Sequence, residues 1–306
     1  MRRPRALRPG DRVALVSPAS PCDRQVFDRG VDEVRMLGFT PVFEPSVFER
    51  QAYVAGPAEV RAGAFAAAWR DPSIAGVFAV RGGYGTAQLL PWLDAAETGG
   101  SGKVLLGASD VTALLSYVTT HCGLVGFHGP MLVNLAAGTA GYDRESLLSQ
   151  LTRACPYGGF AGDGLEVLKR GQARGPLLGG TLTQLAASLG TPFAFDPPAG
   201  FVLLLDEVNE RPYRIDRLLV QLRQAGILAR AGAVVCAEFP GCDEPDTKLT
   251  ARALLADLLA DVPGPVLFGL PTGHAAGPLV TVPLGVDVTV DATRSGRLVV
   301  EEAAVE

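Results

Sequence analysis

Histidine is scarce in this 306-residue chain, which has three, at positions 121, 128 and 274. Any chemistry that uses an imidazole base therefore has three candidates. Cysteine occurs five times, at 22, 122, 155, 236 and 242, and never in C-x-x-C spacing. An odd, scattered set excludes a disulfide framework and a zinc pattern, and reads as reduced packing thiols. No stretch approaches the roughly eighteen apolar residues of a membrane span. The short apolar run Val13-Ala-Leu-Val16 that follows the basic start is too brief for a signal-peptide core, so a cytoplasmic protein with no membrane partner is expected. Net charge is −5 with no long block of either sign, which argues against a nucleic-acid-binding face. There is no G-x-x-x-x-G-K-[ST], and Arg81-Gly-Gly-Tyr-Gly-Thr lacks the G-x-G-x-x-G pattern, so no nucleotide cofactor and no metal are indicated.

What is present is apolar sequence in regular alternation. Apolar residues make up 48% of the chain and charged ones 19%, enough for one large or two medium well-packed domains. In the N-terminal half, candidate strands at 13–17, 41–43, 74–80, 104–107 and 124–127 alternate with candidate helices at 24–37, 57–69, 86–93 and 111–120. Such alternation predicts right-handed crossovers and a parallel, flavodoxin-like α/β sheet covered on both faces. After a helix at 144–153 the composition turns glycine-rich, as in Tyr157-Gly-Gly-Phe-Ala-Gly-Asp-Gly164. We therefore expect an N-terminal domain over 1–155, a linker over 156–175 and a second, mixed α/β and partly β-rich domain over 176–306. Within it, strands are expected at 201–205, 233–237, 266–269, 279–282, 286–290 and 298–300, and helices at 213–224 and 248–259, with Gly179-Gly180-Thr181 as a loop leading into a helix.

The chemistry converges on Val104-Leu-Leu-Gly-Ala-Ser109-Asp110-Val. Ser109 falls where strand becomes helix, at the carboxyl edge of the sheet, where helix N-terminal amides can stabilise an oxyanion. The segment departs from G-x-S-x-G, since Val111 stands where the second glycine would be. Ligands bind at that edge in open parallel sheets, and two other loops there, Ser17-Pro-Ala-Ser20 and Arg81-Gly-Gly-Tyr-Gly85, could bring backbone amides close to an anion. A serine hydroxyl needs an imidazole to take its proton and a carboxylate to orient the imidazole. Carboxylates stand at the end of the strand 201–205, as Asp206-Glu207. His274 follows the strand 266–269 and His128 follows the strand 124–127. On these grounds His274 and His128 both stand as candidate bases, while His121 reads as a helix C-terminal residue.

The blocks Arg81-Gly-Gly-Tyr-Gly, Gly107-Ala-Ser-Asp-Val-Thr-Ala, His128-Gly-Pro-Met, Leu178-Gly-Gly, Leu205-Asp-Glu-Val-Asn-Glu-Arg-Pro-Tyr-Arg-Ile-Asp-Arg and Gly273-His274 resemble the muropeptide LD-carboxypeptidases, a family that includes the microcin-C immunity peptidases. The resemblance runs over nearly the whole chain. It implies a metal-free serine peptidase with Ser109 as nucleophile, His274 as base and an oxyanion site from the backbone of Gly83 and Asp110. Apart from the resemblance, a cleft between two domains suits a substrate with a free terminal carboxylate, which Arg81 would help neutralise, and Tyr84 in the same loop is expected at the substrate. The family's acid is a glutamate, and in that register this chain has Asp206, with Glu207 as the rival. Thr181 stands where the family often carries asparagine. The implied reaction removes a terminal D-amino acid from a small peptide, the murein tetrapeptide, with release of D-alanine in cell-wall recycling, by a cytoplasmic homodimer. Cleavage of aminoacyl-nucleotide amides and non-catalytic binding on the same scaffold are the alternatives.

Overall fold

In the computed structural model, residues 1–160, 165–245 and 247–306 are described. Five strands open the chain: β1 (Arg12–Val16), β2 (Thr40–Val42), β3 (Ile74–Ala79), β4 (Val104–Gly107) and β5 (Gly126–His128). They pair in parallel in the order β2-β1-β3-β4-β5. This is the flavodoxin-like order, in which the crevice at the carboxyl ends collects the loops after β1, β3 and β4. β4 is buried at every residue and β3 at all but Ala75, as expected of strands covered on both faces. The helix Arg24–Met36 covers one face. Its cap is Asp23, whose carboxylate accepts from the amides of Gln25 and Val26, and it buries Phe27, Val31 and Val34.

The second sheet is built from β6 (Gly158–Phe160), β7 (Glu166–Lys169), β8 (Gln172–Thr181), β9 (Val202–Asp206), β10 (Ala233–Ala237), β11 (Val266–Leu270), and, past β12 (Val282–Leu284), from β13 (Asp287–Asp291) and β14 (Arg297–Val300). Its order is β6-β14-β13-β8-β9-β10-β11-β7, with a parallel centre, β8 to β11, and antiparallel flanks. The period of two along β9 divides the interior. Val202 and Leu204 join the large core shared with the N-terminal strands, whereas Leu203 and Leu205 pack with Ile215, Leu219 and Leu222 of the helix Pro212–Gln224.

Several expectations change. The stretch 156–175 carries β6, β7 and the start of β8, all in the second sheet, while part of its glycine-rich segment, 161–164, lies outside the described residues. Gly179-Gly180-Thr181 ends β8 instead of forming a loop. The strand expected at 279–282 is β12, which leaves the second sheet and pairs antiparallel with β5, Val282 opposite His128. The segment Thr86–Trp92 is a 3₁₀ helix that contains Pro91, and the helix after Ser109 runs as a 3₁₀ turn (Ser109–Val111), an α turn (Thr112–Ser116) and a π turn (Tyr117–His121).

Candidate active site

β4 ends at Gly107, and the chain turns so sharply that Ser109 takes φ = 60°, a left-handed conformation that costs a non-glycine residue on the order of 1 kcal/mol or more. Two glycines make room for that turn. A Cβ on Gly107 would lie 2.6 Å from Val111 Cγ1, and one on Gly82 would lie 2.7 Å from Ser109 Cβ and 2.8 Å from its Oγ. The departure from G-x-S-x-G is thus met within the segment, because Val111 packs on Gly107 and the missing space is supplied by Gly82 from another loop.

The hydroxyl of Ser109 stands 2.9 Å from His274 Nε2, and His274 Nδ1 stands 2.8 Å from Asp206 Oδ2. The backbone N–H of His274 donates to Asp206 Oδ1 at 3.1 Å, so the carboxylate grips its histidine twice. Thr181 Oγ1 donates to Oδ2 at 3.1 Å, and the Thr181 amide donates to Thr112 Oγ1, on the helix that follows Ser109, at 3.0 Å. Hydrogen bonds therefore close a ring from the nucleophile's helix through Thr181, Asp206 and His274 back to Ser109. Gly273 (φ = 67°) lies against the carboxylate, where a Cβ would sit 2.4 Å from Asp206 Cγ. Asp206 is fully buried and the His274 side chain is 19% exposed. Burial opposes a charged His274 ring, but the hydrogen bond and charge of Asp206, with the charge of Glu207 behind it, prevail and raise its pKa.

The two carboxylates at the end of β9 diverge. Asp206 continues the Val202 and Leu204 face and reaches His274, whereas Glu207 accepts from the amide (2.9 Å) and hydroxyl (2.6 Å) of Thr183 at the start of the helix Leu182–Ser188, and from the Val208 amide at 3.1 Å. Glu207 caps a helix and does not contact the imidazole; burial pushes its pKa up. His128 is also fully buried, with Nε2 3.9 Å from Asp206 Oδ2, and burial lowers its pKa to about 4. His121 lies elsewhere, hydrogen bonded to Ala194 O and stacked on Tyr117.

Among the described residues, the amides of Gly83 and Asp110 have no protein acceptor, and the Gly82 position lies 3.3 Å, by its Cβ direction, from Asp110 N. Asp110 N thus lies on the Ser109 side of the Gly82 turn, and Gly83 follows in that turn. The Asp110 carboxylate is turned away and accepts from the Thr86 amide at 2.7 Å. Arg81 and Tyr84 are on the open rim: Arg81 Nη1 donates to Pro21 O at 3.0 Å, and the half-exposed Tyr84 ring meets that of Tyr53 edge to face at 5.3 Å.

Two supporting residues were not anticipated from the sequence. Ser20 donates to Tyr53 O and accepts from the Tyr84 amide, tying together the loops after β1 and β3. Arg61, buried on the helix Ala58–Arg70, donates to the carbonyls of Pro18, Gly56 and Gly85. An arginine in the first turns of that alanine-rich helix is the available signal.

The arrangement matches two family models: the LD-carboxypeptidase N-terminal domain over residues 13–129 and the LD-carboxypeptidase C-terminal domain over 174–290. The chain belongs to the LD-carboxypeptidase family. It is a hydrolase, a serine-type carboxypeptidase. Among LD-carboxypeptidase relatives, a Streptomyces coelicolor protein with a provisional carboxypeptidase name is 39% identical, covering 99% of this chain and 97% of its own. The murein tetrapeptide carboxypeptidase of Pseudomonas aeruginosa is 31% identical over 87% of this chain and 88% of its own. The wild-type apo structure of the microcin C7 self-immunity protein MccF superimposes with a TM-score of 0.90 over the full length of both chains at 22% identity, a likeness of fold.

Proposed function

We propose that this LD-carboxypeptidase hydrolyses the amide between an L-configured centre and a terminal D-amino acid, taking the murein tetrapeptide and releasing D-alanine in cell-wall recycling. The observation that carries the reading is the chain of contacts Ser109 Oγ to His274 Nε2 and His274 Nδ1 to Asp206 Oδ2, at 2.9 and 2.8 Å. In this reaction His274 Nε2 takes the Ser109 proton as Oγ attacks the carbonyl carbon. The resulting oxyanion is held by the amides of Gly83 and Asp110. His274 then delivers the proton to the leaving nitrogen, D-alanine departs and an acyl-serine remains. Water attacks that ester, again giving its proton to His274, and the shortened peptide leaves as Ser109 is reprotonated. Asp206 fixes the tautomer and stabilises the imidazolium, while Arg81 and Tyr84 face the substrate.

The name of the Pseudomonas relative supports the peptide substrate, and among the described residues no helix is long and apolar enough to cross a membrane. The same reading takes the enzyme to be a cytoplasmic homodimer, which sizing at micromolar concentration tests. Incubation with murein tetrapeptide and, separately, with an aminoacyl-sulfamoyl adenosine tests the substrate. Release of D-alanine from the first and no cleavage of the second is the expected result. Cleavage of the nucleotide alone would replace the peptide reading, and tight binding without turnover of either would replace catalysis altogether.

A further inference from the structure

On the rim of the site, two arginines from different loops are fastened to consecutive backbone carbonyls. Arg81 Nη1 donates to Pro21 O at 3.0 Å, and Arg50 Nη2 donates to Cys22 O at 2.9 Å. Both residues are exposed, and among the described residues neither lies within ion-pair distance of a carboxylate. The acid beside them in sequence, Asp23, spends its carboxylate on the amides of Gln25 and Val26. The two positive charges are near enough together for both to act on the Cys22 thiol, whose pKa is raised by burial and by the charge of Asp23 and pulled back down by the arginines. A carbonyl orients a guanidinium without neutralising it, and each fork has five N–H donors of which one is used here. What results is a pair of oriented cations with spare donors and no carboxylate within ion-pair distance among the described residues, although the charge of Asp23 lies nearby.

Their place relative to Ser109 is set by the chain. Gly82 packs against the serine side chain, so the backbone of Arg81 is one residue removed from it, and Ser20 ties its loop to the one that carries Pro21 and Cys22. In an exopeptidase the free carboxylate of the departing residue lies about one residue length, roughly 3.5 Å of chain, beyond the scissile bond. We infer that Arg50 and Arg81 together form the subsite for the terminal carboxylate of the leaving amino acid and so make the enzyme a carboxypeptidase rather than an endopeptidase. This rests on the peptide reading above and names the group that the pair recognises. Planar forks suit a carboxylate, and charge-assisted contacts of this kind are the strong ones.

The test compares murein tetrapeptide with the same peptide ending in D-alaninamide. Wild-type enzyme is expected to favour the free acid. Arg50→Gln and Arg81→Gln are each expected to cut that acid-to-amide preference in kcat/KM by on the order of 10- to 100-fold, the size of one lost charge-assisted hydrogen bond. The loss should appear as a raised KM for the acid with kcat largely kept, and Lys at either position should restore part of it. Two variants that retain the wild-type preference would overturn the subsite while leaving the peptide reading intact. Absence of wild-type turnover of the free acid would overturn that reading and this inference with it.

Discussion

Replacing Asp206 with asparagine is the most informative single change, because the geometry dictates how the amide must sit. Oδ1 receives the backbone N–H of His274 at 3.1 Å, a donor that cannot reverse. The asparagine oxygen must therefore occupy the Oδ1 position, which puts the NH₂ group where Oδ2 now receives His274 Nδ1 at 2.8 Å. Thr181 tolerates the exchange, since its hydroxyl can accept as well as donate. The imidazole cannot: facing an NH₂, Nδ1 must become the acceptor, and the proton moves to Nε2, which then points an N–H at Ser109 Oγ and can no longer take its proton. The folded structure is kept while the base is switched to the wrong tautomer. The expected loss in kcat is about 10⁴-fold, equivalent to about 5 kcal/mol of transition-state stabilisation. Steady-state release of D-alanine measures it, with thermal unfolding as the control for structure. Asp206→Asn retaining activity within tenfold of wild type, or Glu207→Gln losing more than Asp206→Asn, would refute the reasoning.

Other outcomes follow from the same contacts. Ser109→Ala should abolish turnover while substrate still binds, and Ser109→Gly, which relieves φ = 60°, should unfold at a higher temperature than Ser109→Ala by an amount on the order of 1 kcal/mol; equal stabilities would show that the turn is unstrained. Gly82→Ala places a Cβ 2.7 Å from that of Ser109 and should cost at least 10²-fold in kcat/KM, with circular dichroism unchanged. Because Asp206 and Glu207 raise the His274 pKa, the acid limb of kcat/KM should fall above the 6.5 of an ordinary histidine, and a limb below 6.5 would contradict the pairing. His128, fully buried and acted on among the described residues by the charges of Asp206 and His274, stays neutral down to about pH 4, whereas the unfolded chain protonates near 6.5. Stability is therefore lost as pH falls through that window, by about 3 kcal/mol for this residue, and His128→Gln should show a shallower loss in urea titrations between pH 6.5 and 4.

The parts of the fold legible in the sequence are those with local signals. Continuous apolar runs bounded by turns marked β1, β3, β4, β9, β10 and β11, since buried parallel strands need no alternation. β8 reads partly as a loop in the sequence because its glycines suppress the strand signal. They are there for close approach: a Cβ would meet Gly200 O at 2.1 Å from Gly175, Leu204 O at 2.2 Å from Gly179 and Thr112 Oγ1 at 2.6 Å from Gly180. Sheet membership of β12 depends on a pairing across more than 150 residues, which no local pattern encodes. At the site, residue types and chain order pointed to Ser109 and left His274 and His128 open, as they left Asp206 and Glu207. The period of two along β9 decides the second choice once it is known which core each face joins. Arg50, Arg61 and Ser20 escaped notice because their work is done through backbone carbonyls, which carry no sequence signature.

β12 has a further meaning for how activity arises in time. The loop bearing His274 leads directly into a strand that is laid down on the nucleophile's own sheet, eight residues later, against β5. Until β12 pairs with β5, that sheet keeps a raw edge. The contacts among Ser109, His274 and Asp206 thus form only once a segment beyond His274 has docked on the sheet that carries Ser109. The same stitching means that severing the chain between its halves leaves the N-terminal sheet without its edge strand and leaves β12 without its partner.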